Sequence, residues 1–216
     1  MSLPFDQDKR VAGLSPVQRL TKRAFDLILA LFLVVSLSGI ILILAIVARI
    51  DTGKSGIFRQ TRVGLFGESF TVYKLRTMYE LSDVSSNVTA RGDKRVTRIG
   101  GFFRRWKLDE VPQLFNILNG TMSFVGPRPD VPESYEGLSE DQLHILSVRP
   151  GITGPASIHF RNEEVLLAKV DDPEKHSREV IFPKKVQLNL VYIKQYSIWL
   201  DIKLIFQTIF MRGIRA

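Results

Sequence analysis

Two adjacent carboxylates, Asp109 and Glu110, are the residues of this sequence best suited to chemistry. They come shortly before Pro112, which a helix tolerates only in its first turn, so we expect the pair at a helix N-terminus. A structural interpretation is that Asp109 caps the helix and Glu110 complements its dipole. The chemical alternative is divided labour, because neighbouring helical residues point in different directions. One carboxylate can attack phosphorus while the other holds Mg²⁺ beside a diphosphate.

Basic residues close to this pair, and in two other segments, could neutralise phosphate charge. Arginine suits this role because its planar guanidinium binds two oxygens at once. In the loop Gly126–Pro129, two prolines flank Arg128 and would hold its side chain in a set direction. Each cation alone also has a plainer interpretation as a solvated surface charge. The candidates are Lys74, Arg76, Arg104, Arg105, Lys107 and Arg128.

The composition favours an anionic partner and excludes several kinds of site. The 216 residues contain 30 Lys and Arg against 22 Asp and Glu, a formal charge of +8. Such basicity indicates phosphate-bearing ligands, a membrane surface or nucleic acid. The absence of cysteine rules out disulfides and Cys-ligated metal sites, and the 3 histidines lack metal-binding spacing.

An uncharged apolar stretch between Leu27 and Ala48 predicts a membrane element. As a helix it would be about 33 Å long, enough to cross a hydrocarbon core of about 30 Å. Both flanks are basic, however, whereas a true span has its positive charges mainly on one side. A hairpin that enters and returns would satisfy both flanks, with a bend at Ser36, Ser38 and Gly39. Charge and length alone leave spanning and re-entrant topologies equally open.

The remaining pattern predicts a mainly α protein with a small β element, an α+β fold. Residues 70–78 have strand-like spacing, 82–93 are polar and loop-like, and 99–119 are helical with Gly120 closing the helix. Residues 197–210 predict an amphipathic helix in the membrane interface, with a helix packed in an ordinary core as the alternative.

Six short motifs, in order along the chain, carry a resemblance to a known family. The sequence resembles the monotopic polyprenyl-phosphate phosphoglycosyl transferases, the bacterial sugar transferase family, in its minimal small form. The resemblance covers the chain from about Lys22 to the C-terminus, and the ordered set is far more specific than any one motif. The motifs are 22–26 (KRAFD), 58–64 (FRQTRVG), 74–78 (KLRTM), 108–116 (LDEVPQLFN), 122–129 (MSFVGPRP) and 149–154 (RPGITG).

The resemblance implies an activity and a set of site residues. The family transfers a sugar 1-phosphate from a UDP-sugar to undecaprenyl phosphate and releases UMP, as the first membrane step of glycoconjugate synthesis. Asp109 matches the nucleophile that forms a covalent phosphosugar intermediate, and Glu110 matches its Mg²⁺ partner. The residues expected to bind substrate are Lys74, Arg76, Arg104, Arg128, Arg149 and Arg161.

The resemblance also implies a membrane arrangement. It predicts an N-terminal arm (1–21), a re-entrant membrane helix (22–50) and a catalytic domain with interfacial helices (51–216), at the cytoplasmic face of the bacterial inner membrane. The family's re-entrant helix commonly breaks at a Ser-Pro pair, whereas here the centre reads Ser36-Leu37-Ser38-Gly39 without proline. Whether the chain forms a homo-oligomer is left open.

Two rival interpretations remain at this stage. In one, the chain is a non-catalytic basic module, anchored in the membrane, that binds anionic lipid; no nucleic-acid-binding motif is evident. In the other, the enzyme transfers directly in a ternary complex and Asp109 is a general base.

Overall fold

The computed structural model describes residues 13–80 and 93–210. This part is mainly helical with two small two-stranded sheets, as the sequence predicts. Residues 82–92 of the predicted loop and residues 1–12 of the predicted arm lie outside the described residues. The helices are α1 Pro16–Thr52, α2 Arg98–Trp106, α3 Gln113–Leu118, α4 Glu140–Leu143, α5 Pro155–His159, α6 Glu163–Leu167, α7 Pro173–His176, α8 Phe182–Lys194 and α9 Ile198–Phe210. The strands are β1 Ile57–Val63, β2 Ser69–Leu75, β3 Ser123–Val125 and β4 Gly151–Thr153.

The apolar stretch lies inside α1, which is long enough to cross a membrane. Ser15 caps the helix by a reciprocal pair of hydrogen bonds with Gln18, and Gly53 ends it in the left-handed conformation (φ 70°). The backbone stays helical through Ser36 and Gly39, where the sequence analysis placed a bend. Without proline, every amide there can take part in helical hydrogen bonding, so the helix is not interrupted.

Both ends of α1 contact the rest of the protein. Near its start, the Arg23 guanidinium donates to the carbonyl oxygens of Ile117 and Leu118, at 2.6 and 3.1 Å. Near its end, Ala48 packs in a small apolar cluster with Leu75 and Phe103. The two basic flanks of the apolar stretch are therefore fixed to one folded body.

The face of α1 that does not contact the rest of the protein is apolar and exposed. Large aliphatic and aromatic side chains lie more than half uncovered on this face, although apolar surface of this size is normally buried in soluble proteins. The helix thus fits a membrane anchor whose other face is occupied by protein. The exposed residues include Ile28, Leu31, Phe32, Val35, Ile40, Leu42 and Ile43.

The antiparallel hairpin of β1 and β2 is held against α3 by Asn116. This side chain is fully buried, and its Oδ1 accepts from the Tyr73 amide at 3.0 Å while its Nδ2 donates to the Thr71 carbonyl at 2.7 Å. These bonds satisfy the edge of β2 and fix the strand beside the segment that carries Asp109 and Glu110. Lys74, one residue after Tyr73, is positioned by the same contact.

Close backbone packing fixes the loop that carries Arg128. Strands β3 and β4 are parallel, and Gly126 donates to the Thr153 carbonyl at 2.9 Å while Gly151 donates to that of Pro127 at 2.8 Å. A Cβ on Gly151 would lie 2.1 Å from the Gly126 nitrogen, so the two backbones approach too closely for a side chain. Arg128 follows directly from this fixed segment.

A buried ion pair joins α1 to α9 next to the main core. Lys22 Nζ lies 2.5 Å from Asp201 Oδ2, and the Tyr192 hydroxyl donates to Asp201 Oδ1 at 2.6 Å. Leu204, one turn along α9, is also buried, whereas Trp199 and Phe210 on the other face are exposed. The predicted amphipathic helix is present, with one face in the core and an apolar face outside it.

Candidate active site

The carboxylate pair lies in a short turn rather than in the first turn of a long helix. The predicted helix over 99–119 is divided in two, because Lys107 adopts the left-handed conformation (φ 55°, ψ 23°) and ends α2. Asp109 and Glu110 then occupy a single 3₁₀ turn before α3. A left-handed non-glycine residue is strained, and such strain clusters at functional sites. Gly120 follows α3 with φ 88°, as predicted for a residue that closes a helix.

Asp109 does not serve as a helix cap. Its side chain is buried, and Oδ1 has no hydrogen-bond partner among the described residues. Helix α3 begins at Gln113 without a side-chain cap. An orphaned buried carboxylate oxygen calls for an explanation such as catalysis or an absent ligand, which disfavours the purely structural interpretation of this residue.

Glu110 is held as a carboxylate by basic neighbours. Arg128 Nη2 donates to Glu110 Oε1 at 2.8 Å, and Lys107 Nζ lies 4.0 Å from the same oxygen. Burial alone would raise the pKa of Glu110, but Arg128, Lys107 and Lys74 together lower that pKa well below its ordinary value. The same pairing outweighs burial at Arg128 and raises the pKa of its guanidinium. Both groups therefore stay charged.

The pKa values of Asp109 and Lys74 shift toward the neutral forms of these groups, whereas those of Glu110 and Arg128 shift toward the charged forms. Burial, and then the charge of Glu110, raise the pKa of Asp109, against the opposing charges of Lys74, Lys107 and Arg104. Burial and the neighbouring Arg128 lower the pKa of Lys74 to about 8. Two adjacent carboxylates with opposite pKa shifts fit divided roles, as the sequence analysis expected.

These groups line one large cavity of about 1130 Å³. A pocket of this size accommodates a nucleotide-sized ligand. Its walls include parts of α1, β2, α2, the turn at 108–110, the Arg128 loop, α5, α6, α8 and α9. The predicted site residues that line it are Lys74, Arg104, Asp109, Glu110, Arg128 and Arg161.

Arg104 is paired across this cavity with Glu164 of α6. The carboxylate occupies the position on the guanidinium that a substrate phosphate would take. Arg161, just before α6, lies exposed on the same side.

The structure does not bring Arg76 and Arg149 to the cavity. Arg76 bonds to the Ser55 carbonyl at 2.9 Å and to Glu80 at 2.8 Å. Arg149 Nε donates to the Gly120 carbonyl at 2.7 Å, on the side of the molecule where α1 begins. Both arginines have partners that secure the fold.

Several polar cavity residues were not singled out from the sequence. Asp93, Ser157, Lys185 and Asn189 all line the cavity. Lys185 is paired with Glu163 at 2.8 Å, and Asp93 with Arg95 at 2.7 Å. The sequence could have indicated Asn189, because this residue is an amide on the otherwise apolar, buried face of α8.

The carboxylate oxygens of Asp109 and Glu110 fit a magnesium site in which substrate phosphates supply further ligands. No cluster of three or more metal-binding side chains occurs in the described ranges 13–80 and 93–210. Two carboxylates are present, with one orphaned oxygen on Asp109 and only Oε1 of Glu110 bonded to Arg128. Mg²⁺ is commonly bound by one or two carboxylates together with substrate phosphates.

Comparison with known proteins decides the family. The sequence model of the family described as "Bacterial sugar transferase" matches residues 17–213. The chain belongs to the bacterial sugar transferase family. This assignment confirms the resemblance drawn from the six motifs.

Relatives within the bacterial sugar transferase family carry specific names. The chain is 39% identical over 202 residues to the "UDP-glucose:undecaprenyl-phosphate glucose-1-phosphate transferase" of Escherichia coli, covering 91% of this chain and 41% of the relative. It is 37% identical to the "Uncharacterized sugar transferase EpsL" of Bacillus subtilis, covering 87% and 85%. A "UDP-N-acetylgalactosamine-undecaprenyl-phosphate N-acetylgalactosaminephosphotransferase" of Aeromonas hydrophila is 32% identical, covering 90% and 44%. The chain thus spans less than half the length of two of these proteins.

Proposed function

We propose that this protein transfers a sugar 1-phosphate from a UDP-sugar to undecaprenyl phosphate and releases UMP. The observation that carries the proposal is the orphaned, buried oxygen of Asp109, beside a cation-held Glu110 in a nucleotide-sized cavity. The names of the E. coli and A. hydrophila relatives supply the donor and acceptor classes. Those names differ in the sugar, so the sugar is not proposed.

The first half-reaction forms a bond between an Asp109 carboxylate oxygen and the phosphorus next to the sugar. The bond from this phosphorus to the bridging oxygen breaks, and UMP leaves with that oxygen and its electron pair. The sugar phosphate remains on Asp109 as an acyl phosphate. The positive charges of Lys74, Arg104 and Arg128 would stabilise the negative charge spread over the transferring phosphoryl group.

The second half-reaction transfers the sugar phosphate to lipid. An oxygen of undecaprenyl phosphate attacks the same phosphorus and expels the Asp109 carboxylate, giving a lipid diphosphate sugar. No proton must be removed when the attacking phosphate oxygen is already ionised. Covalent catalysis allows UMP to leave before the lipid reacts, so the cavity need not hold both substrates together.

We propose Glu110 as the protein ligand of Mg²⁺. Its carboxylate stays ionised at neutral pH because Arg128 lies against it, and one of its oxygens is left for a cation. When bound, the ion neutralises phosphate charge and polarises the reacting group. The proposed role of Asp109 rests on its orphaned oxygen, which would lie beside the same diphosphate.

The membrane arrangement follows from α1 and α9. Because both ends of α1 are fixed to one folded body, we propose that both ends lie at the same, cytoplasmic, face of the bacterial inner membrane and that the uninterrupted helix lies in that leaflet without crossing to the other face. The exposed apolar faces of α1 and α9 would lie in lipid. In this arrangement the cavity would lie at the level of the headgroups, together with the acceptor phosphate.

The experiment that tests the function is UMP release by the full chain in lipid nanodiscs. UDP-glucose, UDP-galactose, UDP-N-acetylglucosamine and UDP-N-acetylgalactosamine are each supplied with undecaprenyl phosphate and Mg²⁺. We expect UMP release and a lipid diphosphate sugar from at least one donor, and neither from Asp109→Asn. Equal turnover by Asp109→Asn would contradict the proposal. A non-catalytic anionic-lipid-binding module would release UMP from none of the donors.

A further inference from the structure

The buried face of α8 contains an amide oxygen that has no hydrogen-bond partner among the described residues. Val186, Asn189 and Ile193 follow one another on this face, and all three are buried. Asn189 is 4% exposed, and its Oδ1 has no hydrogen-bond partner in the described part of the chain. Buried polar groups are nearly always hydrogen-bonded, so an exception in a cavity wall points to a ligand that is absent.

A second unpartnered oxygen lies in the wall of the same cavity. Ser157 is on α5, which packs against α8, and its Oγ is buried without a partner among the described residues. Both Ser157 and Asn189 line the cavity that contains Asp109. The nearby Lys185 lies in an ion pair with Glu163 that is less exposed than the pair of Arg104 with Glu164, so the unpartnered groups offered to a ligand here are a neutral amide and a hydroxyl.

The chemistry of this wall excludes two of the groups that the proposed reaction must bind. A prenyl chain has no donor or acceptor and would leave Asn189 unsatisfied. Phosphates are better served by the cations Lys74, Arg104 and Arg128 in the other walls. Hydroxyl groups fit, because an O–H can donate to the amide oxygen and can accept from the serine hydroxyl.

The order of product release separates the sugar from the nucleotide. In the proposed reaction UMP must leave while the sugar stays attached to Asp109. The cations Arg104 and Lys107 have side chains that are 24% and 45% exposed, so the leaving nucleotide has an open side. The enclosed position of Asn189 suits the group that is retained.

We propose that Asn189 and Ser157 form a hydroxyl-binding subsite that selects the sugar of the donor. The proposal rests on the proposed function and deepens it by naming residues that choose among UDP-sugars. A site built to hydrogen-bond a substrate hydroxyl discriminates strongly against an analogue without it, since the protein groups are then left unpaired.

The test combines protein variants with deoxy substrates. The best donor of the four UDP-sugars is compared with its 2-, 3-, 4- and 6-deoxy analogues (where the parent carries that hydroxyl), using UMP release by the wild-type protein, Asn189→Ala and Ser157→Ala. With the wild-type protein we expect one analogue to lose about ten- to hundredfold in kcat/KM. With one of the two variants, that analogue and the parent donor should be used equally well. The control is Ser147→Ala, which removes another unpartnered buried hydroxyl that lies outside this cavity.

Each other outcome overturns a defined part of the account. If every analogue loses the same factor in the variants as in the wild-type protein, the subsite is wrong while the transferase stands. If the variants weaken inhibition by UMP by the same factor as they lower kcat/KM for the parent donor, these residues bind the nucleotide and the subsite is also wrong. If the wild-type protein releases no UMP from any donor, the proposed function fails and the subsite with it. Should Asn189→Ala fail to fold, Ser157→Ala, which removes a single oxygen, gives the same comparison.

Discussion

Arg128 Nη2 lies 2.8 Å from Glu110 Oε1, and this contact joins a glycine-fixed loop to the carboxylate pair. Because the two opposite charges lie in direct contact, each keeps the other ionised. We expect Arg128→Ala to lower kcat/KM for the UDP-sugar by about a hundredfold or more, since Glu110 loses its partner and the phosphates lose a cation. Arg128→Lys should recover only part of this loss, because an ammonium cannot bind two oxygens in one plane. Full activity of both variants, measured by UMP release, would contradict the assigned role.

The opposite pKa shifts of Asp109 and Lys74 predict a bell-shaped pH profile of kcat/KM. Asp109 attacks only when ionised, so activity should rise with pH through its raised pKa. Lys74 binds phosphate best when protonated, so activity should fall as pH rises above about 8. Lys74→Arg should move this basic limb upward because arginine stays protonated. Identical basic limbs in the wild-type protein and Lys74→Arg would show that another group sets that limb.

Asn116 should be needed for both stability and activity. The side chain of Asn116 ties the edge of β2 to α3, and no other described side chain bonds to both Thr71 and Tyr73. Asn116→Leu would leave two partly buried backbone groups without their hydrogen bonds, at a cost of up to about 1–3 kcal/mol each. We expect a lower free energy of unfolding, measured in detergent by circular dichroism, together with slower UMP release. Unchanged values of both would mean that the hairpin is held by packing alone.

Gly151 should not tolerate a side chain. Alanine there would place Cβ 2.1 Å from the Gly126 nitrogen, and the Arg128 loop would have to shift. We expect Gly151→Ala to lose most activity. The matched control is Gly39→Ala, whose Cβ meets nothing within 4 Å and should leave activity close to that of the wild-type protein. Comparable activity of the two variants would contradict the close packing of β3 and β4.

The two ends of α1 should lie on one side of the membrane. The chain has no cysteine, so single cysteines introduced at Asp8 and Lys54 are clean probes. A membrane-impermeant maleimide should label both positions in inverted vesicles and neither in intact spheroplasts. Labelling of the two positions from opposite sides would show that α1 spans the bilayer.

Much of the site could be predicted because its residues are close in sequence or belong to specific motifs. Asp109, Glu110 and Arg104 lie within one segment, and Lys74 and Arg128 were carried by motifs that the structure brings to the same cavity. The bend predicted at Ser36–Gly39 does not interrupt α1, because serine and glycine permit a bend but leave the helical hydrogen bonds intact.

The remaining site residues depend on long-range packing that local patterns do not encode. Arg76 and Arg149 are cations in motifs that carry the family resemblance, yet Glu80 and the Gly120 carbonyl hold them elsewhere. Asn189 reaches the cavity only because α8 packs against α5, more than 20 residues away in sequence. Pro112 indicated a helix start close to the carboxylate pair, but the apolar pattern over 99–119 did not show the break at Lys107, because its apolar neighbours keep helical spacing on both sides.

Trapping of the intermediate tests the central claim most directly. The full chain in nanodiscs is mixed with Mg²⁺ and a labelled UDP-sugar that supports turnover, without undecaprenyl phosphate, and is quenched and digested for mass spectrometry. We predict one equivalent of UMP and a sugar phosphate on the peptide that contains Asp109, which disappears when undecaprenyl phosphate is added before the quench. Turnover with acceptor, but no adduct and no UMP without it, would contradict the covalent mechanism and favour direct transfer with Asp109 as a base.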